Sequence, residues 1–196
     1  FLHGGLKSGE VVFVNGGTGG VGSAVVQLAR AAGATVITTA GSPEKAAECL
    51  RLGAAHVIEY KTDSIDQRFS EIVAATGPIH LWFENVRTPT LDRTISLMAP
   101  RGRIILMAGR DSRPEFPVGP FYTKDLRAIG FAMFNASQTE QRAAAVKLNT
   151  LLANGTFWPL IGLTLPLSEA AKAHQLQEDK TLRSSGTLTG KIVLKP

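Results

Sequence analysis

The chain has 196 residues, 44% apolar and 19% charged, a balance that suits one folded domain with a sizeable core and excludes disorder. Its 21 Lys and Arg against 16 Asp and Glu give +5, yet the basic residues are scattered and not interleaved with aromatics, so a mildly basic surface is expected and no nucleic-acid interface. Cys49, the single cysteine, excludes a disulfide framework and a cysteine zinc cluster.

The polar turn Leu6-Lys7-Ser8-Gly9-Glu10 leads into Val11-Val12-Phe13-Val14, an apolar β-branched run typical of a buried parallel strand. Next comes Gly17-Thr18-Gly19-Gly20-Val21-Gly22, a G-x-G-x-x-G turn, and a small-residue helix running to Gly33. The first glycine permits the turn, the second lets backbone approach a pyrophosphate, and the third lets helix pack closely on strand. The helix then aims its free N–H groups and positive dipole end at phosphate. Strand, turn and helix fall where a dinucleotide-binding unit needs them.

Thr35 to Ala40 is a second strand, closing a β-α-β unit, and Ser42-Pro43 is an N-cap with Pro at the first helical position. That helix ends near Gly53 and carries Cys49, read as a buried structural thiol. His56 to Tyr60 is a third strand, and 64–75 a helix stopped by Gly77-Pro78. Ile79 to Glu84 is a strand, Pro89 to Met98 a helix, and Arg103 to Met107 a strand ending at Ala108-Gly109. A Pro-rich loop spans Asp111 to Pro120, a sixth strand Ala128 to Ala132, and an amphipathic helix Thr139 to Asn154. The alternation predicts a doubly wound (Rossmann) α/β fold, with a mostly parallel sheet covered by helices on both faces.

The last forty residues fit less well. Phe157-Trp158-Pro159 breaks the pattern, Leu167 to Gln177 is one more helix, and Lys191 to Leu194 a lone strand whose partner sheet is expected elsewhere. No signal peptide or apolar run of membrane-spanning length occurs, so a cytoplasmic location without membrane partners is expected. The sequence opens at Phe1 without an initiator Met and reads as a piece of something longer.

Dinucleotide choice is read at the end of the second strand, where binders of NAD place an acid on the ribose 2′-hydroxyl. Here Thr39-Ala40-Gly41-Ser42 offers none, which disfavours NAD and S-adenosylmethionine. Lys45 falls at the third helical position, where a cation opposes the dipole by about 0.3–1 kcal/mol. A 2′-phosphate held by Ser42 and Lys45 would offset that cost; an ordinary cap and a solvated lysine explain the same residues.

With these pieces in place the chain resembles the medium-chain dehydrogenase/reductase superfamily, and within it the zinc-independent NADPH quinone oxidoreductases of the zeta-crystallin-like branch. The resemblance runs through Gly9-Glu10-Val11-Val12, Gly19-Gly20-Val21-Gly22, Thr39 to Lys45, Leu52-Gly53-Ala54, Ala99 to Arg103, Leu165 to Ala170, Ala173-His174 and Gly190 to Leu194, in order, across essentially the whole chain. It implies NADP(H) as cofactor, with Gly17, Thr18, Gly19, Gly20 and Val21 at the pyrophosphate, and Gly41, Ser42, Lys45 and Tyr60 at the 2′-phosphate and adenosine. It further implies Asn85, Val86, Ala108 and Gly109 along the ribose and nicotinamide, Phe131, Ala132 and Met133 near the carboxamide, and Lys191 close to the cofactor. Arg87 and Thr88 stand where the family often has Gly-Gly, and Arg101 replaces a frequent Gly.

The implied reaction is hydride transfer to a small electron-poor substrate, a quinone or an α,β-unsaturated carbonyl, without a metal. Family members also carry a GroES-like catalytic domain that this chain lacks; residues 1–156 would be the cofactor domain and 157–196 would return to that missing part. A homodimer built across the strand at Ala128–Ala132 is implied as well. No catalytic residue or proton donor is assigned: His3, His56, His80 and His174 read as structural. An enoyl-reductase domain of a polyketide or fatty-acid synthase, and a non-catalytic NADPH sensor, remain as alternatives.

Overall fold

The computed structural model describes residues 3–183 and 188–196, so Phe1 lies outside the described residues. Six parallel strands form the central sheet in the order β3-β2-β1-β4-β5-β6: β1 (Val11–Val14), β2 (Thr35–Ala40), β3 (His56–Glu59), β4 (Ile79–Glu84), β5 (Met98–Leu106) and β6 (Arg127–Gly130). The order reverses between β1 and β4, which opens a crevice at their C-terminal ends. Helices α1 (Gly22–Ala31), α2 (Pro43–Leu52), α3 (Ile65–Thr76) and α4 (Leu91–Leu97) make the crossovers.

Alternation along each strand sends side chains to two cores. Val12, Val14, Val36, Leu81 and Phe83 pack under α1 and α2, while Val11, Phe13, Ile37, Trp82 and Ile104 pack against α3 and α4. Phe13 and Trp82 ring centroids lie 4.0 Å apart, with Phe69 of α3 completing the cluster. Ser42 caps α2 as expected, its hydroxyl accepting from the Lys45 N–H, with Pro43 at the first position and Gly53 left-handed at the end.

Several expectations need correction. Lys191 to Leu194 is not alone: it belongs to β8 (Lys191–Lys195), which pairs in parallel with β7 (Ile161–Pro166) in a separate two-stranded sheet. Gly162 and Pro166 disguised β7, both being poor strand formers. Between these strands a 3₁₀ turn (Leu167–Glu169) precedes α7 (Ala170–Leu182), five residues longer than expected at its C-terminal end. The Pro-rich loop ends in a short helix, α5 (Val118–Thr123).

Met98, expected to end a helix, instead begins β5, which starts five residues before the expected Arg103, with the Arg101 N–H donating to the Lys124 carbonyl at 2.7 Å. α6 (Gln138–Ala153) forms behind a Ser137–Glu140 capping box, yet none of its residues is buried and Val146 is 69% exposed.

Arg103 ties the N-terminal segment to the sheet. Its guanidinium donates to both Glu10 carboxylate oxygens at 2.8 Å and to the carbonyls of Gly4, Gly5 and His80. The Arg103 side chain beside it holds the Glu10 carboxyl below its ordinary value. Arg103→Met should lower unfolding stability by about 2–4 kcal/mol in urea melts, because it strands a half-desolvated carboxylate and three carbonyls. A depressed carboxylate stabilises above its unfolded pKa, so in the parent this contribution is present at neutral pH and fades as pH falls through the folded value. Melts from pH 7 down to pH 3 should show a steeper loss for the parent than for the variant.

Arg101, the residue standing where the family often has glycine, lies at φ +61°. A side chain in the left-handed region costs about 1–2 kcal/mol. Arg101→Gly should raise unfolding stability by about 1 kcal/mol, the added freedom of an unfolded glycine taking back the rest.

Candidate cofactor-binding site

The crevice between β1 and β4 opens into a cavity of about 870 Å³. From the glycine turn it is lined by Gly16, Gly19, Gly20, Val21 and Gly22, and from β4 and beyond by Trp82, Glu84, Asn85, Val86 and Thr88. The turn is bolted to β2. Thr39 Oγ1 accepts from the Gly16 N–H at 2.8 Å, the Thr39 carbonyl accepts from the Gly17 N–H at 3.0 Å, and Thr38 Oγ1 donates to the Val14 carbonyl at 2.7 Å.

Each glycine meets a different obstacle. A Cβ on Gly17 would lie 2.6 Å from Cys49 Sγ and 2.7 Å from Thr38 Oγ1; one on Gly22 would collide with the Gly16 carbonyl, and one on Gly20 with the end of Lys191. The first and third glycines of the motif thus serve close packing; a Cβ on the second, Gly19, would lie 3.1 Å from the Gly16 carbonyl, and Gly20 beside it lies under an ammonium group. Cys49 is fully buried beneath the turn, and burial pushes its thiol up to about 12, so it is inert.

α1 starts without a side-chain cap, and the Gly20 and Val21 N–H groups have no intramolecular acceptor among the described residues. An anion can satisfy such donors. Asn85 donates from Nδ2 to the Asn15 carbonyl at 3.1 Å, while its Oδ1 is buried without a partner among the described residues. Glu84, 2% exposed, accepts from Trp82 Nε1 and Thr94 Oγ1, and burial pushes its carboxyl above the ordinary range. Unpaired donors at the turn, an unpaired acceptor across from them and a nearby ammonium fit a pyrophosphate flanked by hydroxylated sugar.

Of the residues singled out from sequence, Gly19, Gly20, Val21, Tyr60, Asn85, Val86 and Lys191 line this one cavity, whereas Gly17 and Thr18 are buried in the turn behind it. Gly41 lies against the Tyr60 ring, so that a Cβ there would sit 2.5 Å from the phenol oxygen. Ser42 and Lys45 stand at the start of α2, outside the lining, and the Ser42 hydroxyl also bonds the Glu44 carboxylate, holding that carboxyl below its ordinary value. Met107 lines the cavity in place of Ala108 and Gly109. Phe131 packs on the core and against His3, and Met133 is 64% exposed in a 3₁₀ turn; neither reaches the cavity.

Beyond Lys191, sequence reasoning missed what the C-terminal unit contributes. Gln177, Lys180 and Thr181 of α7 line the cavity together with Gly190 and Lys191. The Gly190 N–H donates to the Thr18 carbonyl at 2.9 Å, and Gln27 of α1 makes two hydrogen bonds with the Trp158 backbone, at 3.0 Å each. Parallel pairing with β7 brings β8 to the turn, and that pairing has no signal in the sequence around Lys191.

Gly22→Ala should cost more than about 3 kcal/mol, since its clash is with rigid backbone. Gly20→Ala should stay within about 1 kcal/mol of the parent, because the flexible end of Lys191 can swing aside. Urea denaturation of the two variants measures the contrast.

Among the described residues there is no group of three or more His, Cys, Asp or Glu able to hold a metal, and no helix long and apolar enough to cross a membrane. A model of the zinc-binding dehydrogenase family matches residues 20–149. Human quinone oxidoreductase is 31% identical over 191 residues, covering 96% of this chain and 55% of that protein. Acryloyl-coenzyme A reductase of Sulfurisphaera tokodaii is 30% identical over 195 residues, covering 98% of this chain and 53% of its own length. The structure of Escherichia coli quinone oxidoreductase complexed with NADPH superposes with a TM-score of 0.79 at 25% identity, over 98% of this chain and 59% of that one. The chain thus spans about half the length of the relatives it matches. The match over residues 20–149, the parallel six-stranded sheet and the glycine turn agree: this chain belongs to the zinc-binding dehydrogenase family, as its cofactor-binding part.

Proposed function

We propose that this chain is the cofactor-binding part of an NADPH-dependent reductase acting on quinones or α,β-unsaturated compounds. The observation that carries the reading is the cavity at the glycine turn, with the Lys191 side chain over Gly20 and no acid at the end of β2. The names of the relatives, a quinone oxidoreductase and an acryloyl-coenzyme A reductase, support the substrate class.

Gly19, Gly20, Val21 and Lys191 would hold the pyrophosphate, and Ser42, Lys45 and Tyr60 the 2′-phosphate and adenosine. Gly41 would leave room for the Tyr60 ring. Asn85 and Val86 would line the ribose, with Ala108, Gly109, Phe131 and Met133 toward the nicotinamide side. When bound, the dihydronicotinamide supplies hydride, and the protein supplies orientation and exclusion of water.

Residues 1–156 form the cofactor domain in this reading. Residues 157–196 lead toward a GroES-like catalytic domain outside this chain, which supplies much of the substrate pocket. A zinc-independent reaction, a cytoplasmic location and a homodimer paired along the β6 edge complete the proposal.

Titration of this chain with both reduced cofactors should give tighter binding of NADPH; equal or tighter NADH would overturn the cofactor assignment. Lys45→Ala should weaken NADPH about tenfold, close to 1.4 kcal/mol, and change NADH by less than about twofold. Oxidation of NADPH by the full-length protein against quinones and enones tests turnover, and binding without oxidation across the panel would reject the reductase reading.

A further inference from the structure

Gln27 is a polar residue on the buried face of α1, 3% exposed among Val25, Val26 and Ala29. An amide taken out of water costs stability unless its donors and its acceptor are met. Here they are met. Nε2 donates to the Ser23 carbonyl one turn back at 3.1 Å and to the Trp158 carbonyl at 3.0 Å, while Oε1 accepts from the Trp158 N–H at 3.0 Å. The apolar neighbours on α1 show that packing on the sheet does not call for such a group. A two-way bond to one distant residue fixes both the position and the orientation of the chain there.

That fixation reaches the glycine turn in a few steps. Trp158 and Leu160 pack against the core under α1 and α2. The Leu160 carbonyl accepts from the Lys191 N–H at 2.8 Å, the Gly190 N–H donates to the Thr18 carbonyl at 2.9 Å, and the Lys191 side chain lies over Gly20. On the other side, Ser23 donates its N–H to the Gly19 carbonyl at 2.9 Å. Gln27 therefore joins the turn, through Ser23, to Lys191, through Trp158 and Leu160, and it does so without lining the cavity.

We infer that Gln27 is a positioning residue: its side-chain amide clasps the C-terminal unit to α1 and so sets Lys191 over the glycine turn. The consequence for a ligand rests on the reading of that turn as a pyrophosphate site. An ammonium carried on β8 reaches an anion at the turn only while the unit is docked. Docking then strengthens the bound anion by a given factor, and the anion strengthens docking by the same factor.

Amide hydrogen exchange of this chain without ligand is the first test. In the parent, the Trp158 and Gly190 N–H groups should exchange through one shared opening, with protection factors matching within about fivefold; a larger difference overturns the inference. In Gln27→Met the Gly190 N–H should exchange at least about tenfold faster. The Gly17 N–H, which donates to the Thr39 carbonyl, should keep its parent rate within about twofold. An unchanged Gly190, or equal acceleration at Gly17 as in general destabilisation, overturns the inference. The parent comparison needs no variant and decides the case if Gln27→Met fails to fold.

Exchange with saturating NADPH or NADH is the second test, with binding confirmed by calorimetry. Either cofactor should slow Gly190 exchange about tenfold in the parent, and Lys191→Met should remove that slowing. A bound cofactor that leaves Gly190 exchange unchanged overturns the positioning role. Should the parent bind neither cofactor, the pyrophosphate reading fails, and the ligand-free exchange of Gly190 still decides the clasp.

Discussion

The close seating of the β1–α1 turn on strand β2 is the constraint from which the rest of the site follows. Gly17 lies against Cys49 and Thr38, Gly22 lies against the Gly16 carbonyl, Thr39 of β2 accepts from the Gly16 N–H of the turn, and Thr38 donates to the Val14 carbonyl at the end of β1. Any side chain at Gly17 or Gly22 would push the turn off its support. Held this way, the turn leaves the Gly20 and Val21 N–H groups without a backbone acceptor among the described residues. The pair of N–H groups left over for the proposed anion is thus a consequence of packing beneath them. The hydrophobic pair Phe13 and Trp82 fixes β1 and β4 side by side on the opposite face and keeps the crevice between them open.

The central sheet was legible because its strands are β-branched runs separated by glycine-terminated helices, and local propensity and global fold agree there. Legibility failed where the reason for a residue lies in another element. Gly162 interrupts β7 because a Cβ there would collide with the Thr189 carbonyl of the passing chain, a contact invisible from position 162 alone. Met98 to Gly102 carries Pro100, a left-handed Arg101 and Gly102, all turn-like, yet β4 and the Lys124 carbonyl draw it into the sheet.

The site divides in the same way. Within one β-α-β unit the geometry is local, and Gly19 to Val21, singled out from spacing, line the cavity, whereas Ser42 and Lys45 stand outside its lining at the start of α2. Lys180 lies beyond the point where helical periodicity fades and belongs to no motif; its relevance arises only when β7 and β8 pair and swing α7 over the cavity. Phe131 and Met133 show the converse, a motif match whose residues lie on the core and the surface of this chain.

The positions of the two tryptophans have an optical consequence. Trp82 is buried at the floor of the cavity with its indole nitrogen on the Glu84 carboxyl, whereas Trp158 lies at the junction with α1, beneath the Arg51 guanidinium. Their emission therefore divides by environment: an apolar, blue-shifted component that follows the protonation of one acid, and a second that reports how firmly the C-terminal unit is docked.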